Sequence, residues 1–168
     1  MKAYSKRSNN LQGTVACPGD KSISQRSVII GSLLDEDIQI SGFLFAEDPL
    51  STIGALRNLG HEIEIDDDTV SVKNSRKKIS DQKVSCNLGN SGTGFRLISG
   101  LIAGQKIDAE LVGDNSLSKR PMNRIINPLN EMGAKIESNK GCAPLTFNKS
   151  QLVKEFLYEM PIASAQLK

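Results

Sequence analysis

The chain repeats itself at a long, nearly constant interval. Ser22-x-x-x-Arg26 superposes on Gly92-x-x-x-Arg96 at a shift of seventy residues, and Leu56-x-x-Leu59-Gly60-x-x-Ile63 on Leu129-x-x-Met132-Gly133-x-x-Ile136 at a shift of seventy-three. Self-similarity at a fixed period marks a repeated structural unit. The period is long for a solenoid and suits a small α/β unit of two helices and several strands.

Local patterns fill that unit twice in the same order. Residues 13–17 read as a strand and 21–34 as a helix. Asp37 to Gly42 alternates as a strand does. Asp48 reads as the cap of a helix with Pro49 in its first turn, running to Leu59 and stopping at Gly60. Ile63–Ile65 and Val70–Lys73 read as a hairpin around the solvated tip Asp66-Asp67-Asp68. The charged, apolar-poor stretch Asn74–Gln82 joins the units. The second pass gives a strand over Val84–Leu88, a helix over 91–103 and a strand over Lys106–Val112. A helix over Pro121–Met132 follows, kinked or restarted at Pro128, then strands over Ala134–Glu137 and Leu145–Phe147. Leu152–Glu159 is strand-like and Pro161–Lys168 opens a helix. The expected organisation is a leader (1–12), two units (13–82 and 83–150) and the start of a third (151–168), the front part of a longer protein.

Each unit enters its first helix through a loop suited to anions. In Cys17-Pro18-Gly19-Asp20-Lys21-Ser22-Ile23-Ser24-Gln25-Arg26, a strand-to-helix turn leaves backbone N–H groups unpaired and facing outward. Lys21 adds a point charge, Ser22 a hydroxyl and Arg26 a fork of donors. Asn90-Ser91-Gly92-Thr93-Gly94-Phe95-Arg96 echoes that arrangement. The expected ligand is a small phosphorylated or carboxylated molecule.

Composition narrows the classes. A net charge of +2 is too small to argue for nucleic acid, and aromatics for base stacking are scarce. No apolar run is long enough to cross a bilayer, and no apolar signal core follows the basic first residues, so the expected compartment is the cytoplasm. Cys17, Cys86 and Cys142 are scattered without a C-x-x-C pair, which argues against a disulfide framework or a zinc site; they read as buried fillers or inert thiols. His61, the only histidine, argues against histidine metal sites and serine–histidine triads and reads as a strand-edge surface residue. Lys119 and Arg124 read as a solvated helix face.

Four motifs in order carry a resemblance: Pro18 to Arg26, Asn90-Ser91-Gly92-Thr93, Gly113-Asp114-Asn115-Ser116-Leu117-Ser118-Lys119-Arg120-Pro121-Met122, and Ala163-Ser164-Ala165-Gln166-Leu167-Lys168. Together they resemble the 5-enolpyruvylshikimate-3-phosphate synthase family, the 3-phosphoshikimate 1-carboxyvinyltransferases. The resemblance implies an α/β (α+β) fold of repeated β-α-β-α-β-β units, three to a domain in two domains, of which this chain holds about two and a fraction. It implies transfer of the enolpyruvyl group of phosphoenolpyruvate to the 5-hydroxyl of shikimate 3-phosphate, through a tetrahedral ketal and with release of phosphate. It implies no metal and no organic cofactor.

Residue by residue, the resemblance puts Lys21 on phosphoenolpyruvate near the reacting hydroxyl, as the catalytic residue of this part. It puts Ser22 and Arg26 on the shikimate carboxylate and ring hydroxyls, and Gly92, Thr93 and Arg120 on phosphoenolpyruvate. Ser164, Ala165 and Gln166 fall around the phosphate and ring of shikimate 3-phosphate, with Lys21 contributing to both substrates. Asn90 and Arg96 shape the second loop. The family's main acid–base carboxylate lies in its second domain, which is the implied partner of this chain and of its leader. The isolated chain is therefore expected to hold half a site without turnover. Gly92 and Thr93 together imply a place for glyphosate. Two departures stand out: Gln25 where a histidine is usual, read as a packing adjustment, and Ala165 where many members have serine, read as a subtype mark.

Two other readings compete. The sister enzyme acting on UDP-N-acetylglucosamine carries a loop cysteine where this chain has Asn115. A non-catalytic anion- or RNA-binding module would use the same repeated unit without turnover.

Overall fold

The computed structural model describes residues 3–7, 10–74, 83–150, 157–159 and 163–164. The first unit contains α1 (Lys21–Gly31), β1 (Ile38–Ser41), α2 (Glu47–Asn58), β2 (Glu62–Asp66) and β3 (Thr69–Lys73). The second contains β4 (Val84–Asn87), α3 (Gly92–Gln105), β5 (Ala109–Val112), a 3-10 turn (Leu117–Lys119), α4 (Asn123–Glu131), β6 (Lys135–Asn139) and β7 (Cys142–Asn148). The fold is α+β, with one sheet to each unit. The first sheet has the order β1-β3-β2 and is antiparallel; the second has the order β4-β5-β7-β6, with β4 and β5 parallel.

Alternation along the strands decides which face is covered. In β3, Val70 and Val72 are buried while Thr69, Ser71 and Lys73 are not; in β7, Ala143, Leu145 and Phe147 point inward. The helices lie on those inner faces, and α1, α2 and α3 pack on one another. Val28, Ile53, Leu56, Phe95, Ile98 and Ile102 fill the space between them. Each such side chain stabilises the fold by about 1.5–3 kcal/mol relative to exposure. No helix among the described residues is long and apolar enough to cross a membrane.

The sequence repeat reappears as repeated geometry. Gly60 and Gly133 both take positive φ, at 97° and 105°, where a Cβ would be strained. Each ends its helix with the same backbone closure, His61 N–H to Leu56 O at 3.0 Å and Ala134 N–H to Leu129 O at 3.0 Å. Arg57 donates to Ile63 O at 2.6 and 2.9 Å, and its counterpart Asn130 donates to Ile136 O at 3.2 Å.

Several local expectations are corrected. Residues 13–17 form no strand: the backbone is exposed, and no other described segment pairs with it. A strand is made by its partner edge, and a local pattern carries no information about that edge. Asp48 is not the cap of α2, since Ala46 holds that position and Asp48 lies within the first turn. The α4 helix does not restart at Pro128 but runs through it, at the loss of one backbone bond. His61 is half-buried, with Nε2 shielded and unpaired, and burial holds its pKa below the ordinary value. Cys17 is exposed rather than a filler, while Cys86 is buried. The Asp66–Asp68 tip is exposed as expected. Residues 157–159 carry no strand. The rest of the strand expected over 152–159, most of the helix expected over 161–168 and residues 75–82 of the joining loop lie outside the described residues.

Candidate anion-binding site

The first turns of α1, α2 and α3 meet at one end of the molecule. Asp20 caps α1, its carboxylate accepting from Ile23 N–H at 2.8 Å; Ser91 caps α3, its hydroxyl accepting from Gly94 N–H at 3.1 Å. Gly19 lies so close to the carbonyl of Gly42 that a Cβ there would collide, which ties the first loop to the end of β1. Gln25 on α1 reaches Ser91, so the two anion loops are neighbours. The N-terminal ends of helices favour negative charge, which suits the ligand class expected from the sequence.

In the first loop, Lys21 Nζ lies 2.8 Å from Asp48 Oδ2. Arg26 folds back to donate to Ser22 O at 3.2 Å, and Ser22 is half-buried. In the second loop, Arg96 donates to Gly92 O at 2.9 Å, the same fold-back one repeat later. Arg120 enters from the turn before α4, donating to Asn90 O at 3.2 Å, to the Asn90 side-chain oxygen and to Ser116 Oγ at 3.3 Å. Asn90 is held from behind by Asp114, its Nδ2 donating to Oδ2 at 2.7 Å.

Gly92 is the pivot. A Cβ on it would stand 3.0 Å from an Arg120 guanidinium nitrogen and 3.1 Å from one of Arg96. Two positive side chains therefore converge over a bare Cα. Burial first, then the charges of Arg120 and Arg124, hold Arg96 below its ordinary pKa. Arg124 is exposed, as the sequence suggested, yet its charge is felt at Arg96. Among the described residues, none of Arg26, Arg96, Arg120 and Arg124 has a carboxylate within ion-pair reach. Asp114 stands behind Asn90 and feels the charge of Arg120 without pairing with it directly, so crowded guanidiniums with no direct carboxylate partner form a site for an anion.

Thr93 is half-buried in the first turn of α3. Ser164 is half-buried; Ala165 and Gln166 lie outside the described residues. The described residues contain no group of three His, Cys, Asp or Glu side chains placed to hold a metal ion. Sequence reasoning missed Asp48 as the partner of Lys21 and Asp114 as the brace of Asn90. For Asp48 the available signal was an acidic residue in a first helical turn, which reads equally well as a response to the helix dipole.

Comparisons with known proteins place the chain in a family. A family model described as EPSP synthase (3-phosphoshikimate 1-carboxyvinyltransferase) matches residues 5–168. The chain is 50% identical over 167 residues to 3-phosphoshikimate 1-carboxyvinyltransferase from Ruthia magnifica subsp. Calyptogena magnifica, covering 97% of this chain and 38% of that protein. It is 44% identical over 173 residues to the protein of that name from Streptococcus pyogenes serotype M3, covering 100% of this chain and 40% of the relative. A solved structure of EPSP synthase from Acinetobacter baumannii superposes with a TM-score of 0.82 at 39% identity, over 93% of this chain and 36% of that one. The chain thus spans roughly two-fifths of the length of the curated relatives it matches. With the repeat, the motifs and the overall superposition in accord, the chain belongs to the EPSP synthase family.

Proposed function

We propose that this chain carries one wall of the substrate site of a 3-phosphoshikimate 1-carboxyvinyltransferase of the shikimate pathway. The reaction joins phosphoenolpyruvate to shikimate 3-phosphate. The 5-hydroxyl gives up its proton as its oxygen adds to C2 of phosphoenolpyruvate, C3 gains a proton to become a methyl group, and loss of a methyl proton together with phosphate restores the double bond. The observation that carries this reading is the convergence of the Arg96 and Arg120 guanidiniums over Gly92. A phosphate or carboxylate there gives both guanidiniums a direct partner and is held by forked donors.

In this reading Lys21 exchanges Asp48 for phosphoenolpyruvate and lies beside the reacting hydroxyl. Ser22 and Arg26 take the carboxylate and hydroxyls of shikimate 3-phosphate, and Ser164, Ala165 and Gln166 its phosphate and ring. Gly92, Thr93 and Arg120 take phosphoenolpyruvate, where glyphosate would compete, with Asn90 and Arg96 in support. Most of the catalytic gain is positional and electrostatic. The acid–base groups come from a second domain, so the isolated chain carries half of the site without turnover. Units 13–82 and 83–150 and the start of a third at 151–168 build the first domain, and the enzyme works in the cytoplasm.

An amide NMR titration tests the reading. Shikimate 3-phosphate should shift Lys21, Ser22, Arg26 and Ser164 to Gln166, and phosphoenolpyruvate should shift Gly92, Thr93 and Arg120. A folded spectrum unmoved by either ligand would remove the half-site from this chain.

A further inference from the structure

Gln25 is fully buried, yet its side chain is polar. Its amide nitrogen lies 2.7 Å from Ser91 Oγ, 3.0 Å from Thr52 Oγ1 and 3.2 Å from Asp48 O. Two N–H hydrogens face three acceptors, so Ser91 takes one at the shortest distance and the α2 pair shares the other. One amide on α1 therefore grips the first turn of α2 and the cap of α3. Ser91 Oγ also holds the Gly94 N–H at 3.1 Å, and Asp48 carries the carboxylate that holds Lys21. The surroundings are cut to fit: a Cβ on Gly94 would come within 2.7 Å of Ser91 Oγ and Thr52 Oγ1 and within 2.9 Å of Gln25 Nε2. The Gln25 carbonyl oxygen is buried without a partner. The amide's bonds run to two other helices, so its loss would loosen the placement of the loops that those helices start.

We propose that Gln25 is a positioning residue that couples the two anion loops, keeping the Ser91–Gly94 turn in register with Lys21 and Asp48. This rests on the substrate reading above. Loss of the amide releases the α3 cap, so binding at Gly92 suffers more than binding at Ser22 and Arg26.

The test uses the 168-residue chain, with hydrogen exchange at Gly94 and titrations with phosphoenolpyruvate and shikimate 3-phosphate. In Gln25→Leu, exchange at Gly94 should quicken about tenfold while Ile98 and Ile102 stay protected, in keeping with the loss of a cap interaction. Phosphoenolpyruvate affinity should fall about tenfold and shikimate 3-phosphate affinity about twofold or less, since only one loop loses its anchor. Gln25→His, which keeps a ring N–H donor, should restore both. Wild-type exchange at Gly94 in a folded Gln25→Leu chain overturns the proposal. So does an equal loss of both affinities, or a loss that histidine does not rescue. Gln25→Met, unbranched, replaces leucine if the leucine variant does not fold; if neither folds, Gln25 is merely structural and the proposal falls. If the wild-type chain binds neither probe, the substrate reading fails by itself, while the Gly94 comparison still decides the role of Gln25.

Discussion

Lys21 reaches from the first turn of α1 to Asp48 in the first turn of α2, with Nζ 2.8 Å from Oδ2. The Lys21 side chain is 50% exposed and that of Asp48 23%, so the pair is only partly shielded from solvent and weak. The pair and the carboxylate's place at a helix N-terminus each contribute about 0.3–1 kcal/mol. Asp48→Asn should therefore lower stability by about 1 kcal/mol. It also frees Lys21, so inorganic phosphate should bind about two- to threefold more tightly at low salt. Thermal melts and a phosphate titration followed at Lys21 and Ser22 check both parts. Weaker phosphate binding in the variant would reverse the role assigned to the pair.

Gly92 gives a cleaner separation of stability from binding. Alanine in place of glycine restricts the unfolded chain and so favours the folded state by about 0.4–1 kcal/mol where the native backbone suits it. The new methyl, however, meets guanidinium nitrogens of Arg120 at 3.0 Å and Arg96 at 3.1 Å. The side chains must move off, and they are the proposed anion holders. Gly92→Ala should keep or raise the melting temperature while phosphoenolpyruvate affinity drops about tenfold, the scale of a modest overpacking cost. Unchanged affinity would mean that the guanidiniums do not act at this point.

Asp114 braces the site chiefly through Asn90, and its charge is also felt at Arg120. Hydrogen bonds from Asn90 and then from the Leu117 backbone are the main causes holding its pKa below the ordinary 3.8. A depressed carboxylate contributes above its ordinary value and loses that contribution as pH falls through the lowered one. The Asn90 side-chain NH2 resonances should therefore stay fixed from neutral pH down to about 4.5 and move only below 3.8. Asn90→Ala should reduce phosphoenolpyruvate affinity about tenfold through loss of orientation at Arg120. An Asn90 signal that titrates near neutrality would sink this account.

Gly94 should tolerate no side chain. Its Cβ position is closed by Ser91 Oγ, Thr52 Oγ1 and Gln25 Nε2, all within 2.9 Å, and Gln25, Thr52 and Ser91 are fully buried. Overpacking of this kind costs about 1–3 kcal/mol, so Gly94→Ala should melt about 5 °C lower. Calorimetry decides; an unchanged midpoint would show that the three polar groups yield easily.

What the sequence made legible is what repeats or what is local. Gly60 and Gly133, and Arg26 and Arg96, aligned in sequence and then took the same geometry. The helices and hairpins fell within a few residues of their patterns. The strand over 13–17 failed because pairing depends on an edge elsewhere in space. Asp48 and Lys21, 27 positions apart, meet only when α1 packs on α2. Gln25 and Ser91, 66 positions apart, meet only when the two units join. No periodicity encodes such contacts, and a buried glutamine looks like any polar helix residue until its neighbours are known.

Cys86 offers a test of how dry the seam between the units is. It lies on β4, and its Sγ–H donates to Ala55 O on α2 at 3.6 Å. Burial pushes its thiol from 9.0 up to about 11. The folded state therefore holds this proton where the unfolded chain has lost it, and stability must fall as pH rises from 9 towards 11. Two pKa units correspond to about 2–3 kcal/mol as an upper bound. Urea unfolding of the wild-type chain and of Cys86→Ala across that range removes the common background of tyrosine and lysine titration. The wild-type curve should drop more steeply, and iodoacetamide at pH 8 should label exposed Cys17 well before Cys86. Parallel stability curves, or equal labelling, would mean that water reaches the seam.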